Sequence, residues 1–219
     1  MELVLRYGFY IVVLILLAIP LGAYMGKVMN GERVFLSKIC EPCENLIYKI
    51  MRVKKDEDMT WKKYLASVLI FSLIGFLVLF LLQIFQFYLP GNPEKIPNMS
   101  WHLSFNTAVS FVTNTNWQAY SGEYQLSYLS QALGLATQNF VSAATGIAVL
   151  FALIRAFVRV KEKGLGSFWV DLTRIVLYIL LPLNLVISLA LVSQGVVQNI
   201  KPAEAVQLLE PIAIDADGE

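Results

Sequence analysis

Four stretches of this chain hold no charged side chain: residues 7–26, 64–93, 124–154 and 175–200. Crossing the hydrocarbon of a bilayer takes about 20 consecutive, mainly apolar residues in helical form. All four stretches are long enough. Backbone groups in hydrocarbon find no water to bond, so a crossing segment of this kind has to be helical. Spans are expected over 9–25, 64–87, 136–157 and 175–193. Composition agrees: charged residues make up 15% of the chain, against about 25% in soluble domains. The first stretch lacks both the basic cluster and the small-x-small cleavage site of a secretory signal, so it is expected to remain as a span. A net charge of +1 speaks against nucleic-acid binding.

The cations are unevenly placed. Between the first two stretches lie Lys27, Arg33, Lys38, Lys49, Arg52, Lys54, Lys55, Lys62 and Lys63, and between the last two lie Arg155, Arg159, Lys161, Lys163 and Arg174. Only Arg6, Lys95 and Lys201 fall on the other side. The bias of Lys and Arg towards cytoplasmic loops then places both basic loops inside and both termini outside. The first loop also carries Cys40 and Cys43 as a CxxC. Such a pair suits redox chemistry or half a metal site. No second pair completes a metal site, and the only histidine, His102, is placed across the membrane. Two ordinary reduced thiols are expected, and a redox enzyme is a distant alternative. The pair Gly22 and Gly26 makes a GxxxG, read here as packing only.

The outer connection from Leu89 to Ser130 carries the most information. Pro90, Gly91, Pro93 and Pro97 punctuate its start as turn. From Ser100, a residue able to cap a helix, the apolar positions Leu103, Phe105, Ala108, Val109, Phe111 and Val112 make a broken helical stripe. A helix of about 12 residues is roughly 18 Å long, enough to enter a membrane but not to cross it. Directly after it come Thr113, Asn114, Thr115, Asn116, Trp117 and Gln118, uncharged and dense in short amide and hydroxyl groups. Half-helix, polar non-helical run and return to the same side together describe a re-entrant pore loop. Non-helical backbone at membrane depth is tolerated where protein buries it or where it lines a wet cavity. A potassium filter replaces the ion's water with uncharged oxygen dipoles, and the C-terminal end of a short helix stabilises a cation ahead of it. An anion pore would more readily show Lys or Arg, and a divalent-cation pore Asp or Glu. The other reading of the same residues is a surface helix and a polar loop in the outer medium.

On the third span Gln138, Ser142 and Thr145 form a polar stripe, with Asn139 and Gly146 beside it. In lipid such a stripe should face protein or water. It is a candidate pore lining, or helix packing through Ser142, Ala143 and Gly146.

The string from Asn106 to Gln118, followed by Tyr120-Ser121-Gly122-Glu123, resembles the first pore loop of the potassium-binding A subunit family of Kdp-type potassium-transporting ATPases. So do Gln138-Asn139-Phe140, Ser142 to Val149, Phe151 to Phe157 and Trp169-Val170-Asp171-Leu172. The resemblance runs over most of 59–198. It implies an all-α integral membrane fold: four transmembrane helices plus one re-entrant pore helix and filter loop, part of a four-fold repeat of channel-like units. It divides the chain into a first helix and basic loop (1–63), one complete helix–pore loop–helix unit (64–157) and the opening of a second unit (158–219). It implies a high-affinity importer in a bacterial plasma membrane, binding the potassium ion as substrate from outside. The filter would be Thr113, Asn114, Thr115, Asn116 and Gln118, with Val112 at its base. Asn116 stands about where related filters often place Gly. ATP would be hydrolysed by a separate P-type ATPase subunit, with small accessory membrane subunits as further partners. No phosphate-binding loop or phosphorylated aspartate site is visible here, so no ATP hydrolysis is expected of this chain itself. A passive channel or ion-coupled carrier of the same superfamily is the alternative. Family chains are much longer, and three filter segments are missing. The expectation is therefore a fragment of a longer gene product, or a chain without transport of its own.

The topology is open to direct test. A membrane-impermeant thiol reagent should leave Cys40 and Cys43 unlabelled in sealed cells and label the loop only after permeabilisation. Labelling in sealed cells would invert the assignment.

Overall fold

The computed structural model describes residues 2–159 and 164–197, and among these all regular structure is helical. The acidic tail, with Glu204, Glu210, Asp215, Asp217 and Glu219, lies outside the described residues, as do Lys161, Lys163 and Lys201. Helix α1 runs Glu2–Met29, α2 Ser37–Met51, α3 Trp61–Phe85, α4 Trp101–Val112, α5 Gly122–Gln125 and α6 Thr137–Val158. They are succeeded by α7 Phe168–Arg174 and α8 Leu181–Ser193. A wide π-helical turn, Ser130–Ala136, leads into α6, and a second, Ile175–Leu180, joins α7 to α8. The apolar helical stretches are Leu5–Met29, Trp61–Tyr88, Ser130–Val158 and Phe168–Ser193. The shortest has 25 residues. At about 1.5 Å per residue each exceeds a hydrocarbon core of roughly 30 Å.

All of these stretches extend beyond the expected spans, and the last is the instructive case. Its span is expected from 175 because Asp171 and Arg174 read as loop charges. The helix instead begins at Phe168. Both charges are buried or nearly so, because each is paired. Arg155 Nη1 reaches Asp171 Oδ2 at 2.6 Å, and Arg155 Nη2 reaches Asp171 Oδ1 at 2.8 Å. Tyr64 donates to Asp171 Oδ2 at 3.0 Å and to the Ala148 carbonyl at 2.9 Å. The remaining Arg155 hydrogen bonds go to the carbonyls of Leu165 and Met29. One ion pair thus joins α3, α6, α7, the loop after α6 and the end of α1. Ala144, Ala148 and Ala152, all buried, leave α6 a small-residue stripe at the core shared with Tyr64 and Phe168.

A second buried charge holds α2, a helix that the sequence reading does not anticipate. Its inward stripe is Cys40, Glu44 and Tyr48, at intervals of four. Glu44, 3% exposed, accepts from Tyr178 (2.7 Å), Tyr48 (2.8 Å) and Arg174 Nε (3.2 Å). Burial alone would raise its pKa, but the hydrogen bonds from Tyr178 and Tyr48 and the Arg174 charge outweigh this and hold it below the usual glutamate value. The Cys40 thiol is buried against the Leu177 carbonyl, while Cys43 is exposed. Burial, with Cys43 and Glu44 nearby, pushes the Cys40 pKa up, away from the reactive thiolate.

Helix α1 joins this core through its C-terminal end. Val28 and Met29 are buried, and Tyr24 donates to the Tyr178 carbonyl at 2.9 Å. The packing expected of Gly22 and Gly26 is not found: a methyl group at either position would meet nothing within 4 Å. No described helix lies against that face.

A second, smaller core lies around α4. Ala108 and Phe111 of α4 meet Leu79 of α3, Met99, Leu126 and Leu135. Phe76 of α3 and Phe105 of α4 pack edge-to-face at 5.4 Å between centroids. The fully buried Gln86 side chain pins the surrounding loop. It donates to the carbonyls of Pro97 (2.7 Å) and Gln125 (2.8 Å) and accepts from the Ser127 N–H (3.1 Å).

Removing one partner of a buried ion pair leaves the other charge stranded, at a cost of about 3–5 kcal/mol. Asp171→Ala should lower the unfolding midpoint in detergent accordingly, and an unchanged midpoint would refute this account of the pair. Glu44 adds a pH signature. Its folded-state pKa lies below the unfolded value of about 4.3, so its contribution is full above that value and is lost as pH falls through the folded value. The stability difference between wild type and Glu44→Gln should be constant from about pH 6 to 8 and shrink towards pH 4.

Candidate functional site

The short helix expected from the sequence is present as Trp101–Val112, 12 residues long. Ser100 occupies the N-cap position in extended conformation, but its side chain makes no cap bond; its carbonyl accepts the Ser104 N–H at 2.9 Å. Ser104, Thr107, Ala108, Ser110 and Phe111 are buried. This helix is wedged against both α3 and α6 rather than lying as an isolated surface element. His102 is exposed and packs on its neighbour Trp101. Among the described residues no cluster of His, Cys, Asp or Glu could hold a metal ion.

A tightly bonded loop leads away from the C-terminal end of α4. The Val109 carbonyl takes the Thr113 N–H and hydroxyl, and the Phe111 carbonyl takes the Asn114 N–H. The Ser110 carbonyl takes four bonds: the N–H groups of Thr115 (3.0 Å) and Asn116 (3.2 Å), and the hydroxyls of Thr115 (2.9 Å) and Thr113 (3.3 Å). The Thr113 and Thr115 hydroxyl oxygens lie 2.9 Å apart. The Ser110 hydroxyl donates to the Trp117 carbonyl at 2.9 Å. This turn needs two left-handed residues, Asn114 (φ 57°) and Asn116 (φ 55°). Asparagine tolerates that region better than other residues with a side chain.

The bonding pattern fixes where the oxygens go. Two successive N–H groups, those of Thr115 and Asn116, converge on one carbonyl. No peptide bond here is cis, and in a trans peptide the C=O points opposite to the N–H. The carbonyls of Asn114 and Thr115 therefore project together, away from the end of α4. Val112 is half-buried, and Thr113 through Ala119 are exposed. The site has no fixed charge, and two aligned carbonyls sit near the negative end of a helix dipole. Chemically, such an arrangement suits a desolvated cation.

Helix α6 touches this loop at two points. Asn116 Nδ2 donates to Asn139 Oδ1 at 2.8 Å, and the Ser142 hydroxyl donates to Asn114 Oδ1 at 3.3 Å. Of the stripe expected from the sequence, Ser142 is thus brought to the loop. Gln138 is buried against α3, where a Cβ at Gly75 would come within 2.6 Å of Gln138 Oε1. Thr145 bonds the Val141 carbonyl of its own helix. Among the described residues neither Gln138 nor Thr145 is hydrogen-bonded to the loop. Ser110 escapes the sequence reading, since one serine in a helix carries no distinctive signal. Asn139 stands out there only as lying beside the stripe.

The comparisons with known proteins converge. The sequence model described as potassium-transporting ATPase A subunit matches residues 8–216. A protein of Clostridium botulinum named potassium-transporting ATPase potassium-binding subunit is 68% identical over 215 residues, covering 98% of this chain and 37% of the relative. Proteins of the same name from Clostridium perfringens and Geobacter metallireducens are 64% and 52% identical, over 97% and 98% of this chain and 36% and 37% of their own lengths. The chain therefore spans about 37% of the length of the curated relatives it matches. By the extent of these matches, the chain belongs to the potassium-transporting ATPase A subunit family.

Proposed function

We propose that this chain supplies the first of several filter segments of the potassium-binding and translocating subunit of an ATP-driven potassium importer. The observation that carries the reading is the uncharged loop after α4, with the Asn114 and Thr115 carbonyls turned the same way. In this reading Val112, Thr113, Asn114, Thr115, Asn116 and Gln118 bind the dehydrated potassium ion from the outer side. Ser142 stands behind the loop, and Gln138 and Thr145 belong to the packing of α6. Residues 64–157 form one helix–pore loop–helix unit, preceded by 1–63 and continued from 158 by the start of the next. The remaining filter segments come from the rest of a longer subunit, because one segment exposes its carbonyls without enclosing an ion. A P-type partner subunit hydrolyses ATP, and small membrane subunits complete the complex in a bacterial plasma membrane.

Two contacts support the placement of the loop at membrane depth. Phe76, which meets Phe105 of α4, lies near the middle of the apolar stretch Trp61–Tyr88. Ser142, which bonds Asn114, lies near the middle of Ser130–Val158. Irregular backbone at that depth is tolerable where protein or a wet cavity satisfies it, and the Ser110 carbonyl meets part of that need. The basic loops, with the docked α2, then face the cytoplasm.

Gln118→Arg in the complete complex tests the filter assignment. A fixed cation about 4 Å from a bound ion costs roughly 1 kcal/mol even in bulk water and more where water is excluded. The potassium concentration for half-maximal uptake should rise at least about fivefold. Unchanged affinity would remove Gln118 from the filter.

A further inference from the structure

The two left-handed residues of the loop are both asparagines, and each side chain is held from α6. Asn116 bonds Asn139 at 2.8 Å and Asn114 bonds Ser142 at 3.3 Å. Glycine would reach the same backbone region without strain and without help. Asparagine reaches it at a cost, but it carries an amide that a neighbour can grip. We propose that Asn139 is a positioning residue for potassium selection: through its amide contact it sets the left-handed backbone at Asn116 and with it the direction of the Thr115 carbonyl. This rests on the filter reading above.

Three features distinguish Asn139 from an ordinary packing residue. It is exposed, so burial does not explain its place. Its contact crosses from α6 to the loop, 23 residues apart in sequence. It also holds the residue that comes after the peptide whose N–H is fixed by Ser110. The Thr115–Asn116 peptide is thus held on both sides, by the Ser110 carbonyl at its N–H and by the Asn116 side chain beyond it. Ser142 is bonded to the Asn139 carbonyl as well as to Asn114, at 3.1 Å, so the two grips on the loop share one turn of α6.

The test uses the full-length subunit assembled in its complete complex. Asn139→Leu removes the acceptor at similar size. The KM for potassium in uptake should rise about fivefold to tenfold, the worth of one hydrogen bond, with kcat changed less than twofold. Discrimination between potassium and rubidium should fall. On an Asn116→Gly background the grip has nothing to hold, so Asn139→Leu should add less than twofold to KM. Unchanged KM and ion discrimination in Asn139→Leu, with Gln118→Arg still raising KM, would overturn the positioning role and leave the filter reading intact. No effect from either substitution would overturn both. Multiplying effects of Asn139→Leu and Asn116→Gly would also overturn the proposal. Should Asn139→Leu fail to assemble, the smaller Asn139→Ser gives the same comparison. Failure of both to assemble would assign Asn139 to the scaffold and refute its role in selection.

Discussion

The carboxylate of Asp171 is the point on which the half of this molecule nearest the basic loops turns. Only 2% exposed, it accepts two bonds from Arg155 and one from Tyr64. These reach out from α7 to α6 and α3, and Arg155 extends the link to the end of α1 and the loop after α6. Burying two charges costs several kcal/mol per ion before their attraction is counted. A pair like this is therefore a weak source of net stability. Its value is geometric, because a bidentate guanidinium–carboxylate contact admits few other arrangements. Glu44 repeats the device one layer out, where Tyr178, Tyr48 and Arg174 converge on it and dock α2.

The other half, around α4, is organised by different physics. Among the described residues no ion pair holds the loop after α4. A single carbonyl, that of Ser110, gathers two backbone N–H groups and two hydroxyls, and the carbonyls of Asn114 and Thr115 are left facing the opposite way. This meets two demands at once. The carbonyls of Val109, Ser110 and Phe111 at the helix end are satisfied, and the carbonyls of Asn114 and Thr115 are not consumed by the fold. In the proposed reading, a charged residue in the same place would fill those oxygens or repel the ion.

How much of this is legible in the sequence depends on which signals are local. Absence of charge over long stretches needs no tertiary knowledge, so all four apolar helices can be read directly, and so can the 12-residue helix before the polar run. The boundaries fail where charge is misleading. Asp171 and Arg174 look like the edge of a membrane segment, and only their pairing with Arg155 and Glu44 lets the helix start at Phe168. Helix α2 is missed because its inward stripe contains a glutamate, and its partners lie on helices distant in sequence. Within the site, the polar run from Thr113 to Gln118 stands out by composition. The roles of Ser110 and Asn139 do not, since each depends on one contact that a single sequence cannot display. Helical spacing puts Gln138 in the polar stripe, but does not reveal its fit over the bare backbone of Gly75 on α3.

The two halves are joined by α6, which touches the loop at Asn139 and Ser142 and carries Arg155 near its other end. Ser142 and Arg155 lie thirteen helical steps apart, roughly 20 Å at 1.5 Å per residue. A helix of that length is stiff compared with the loop it supports, so its position is set where it is most tightly held. That place is the Arg155–Asp171 pair, backed by the Tyr64 bond to the Ala148 carbonyl. Hydrogen bonds at the loop end, each worth about 1 kcal/mol, add less to that hold. The buried pair fixes α6, and α6 then presents Asn139 and Ser142 at the distance the loop requires. An ion pair that contributes little net stability can thus still fix the helix that carries Asn139 and Ser142 to the loop.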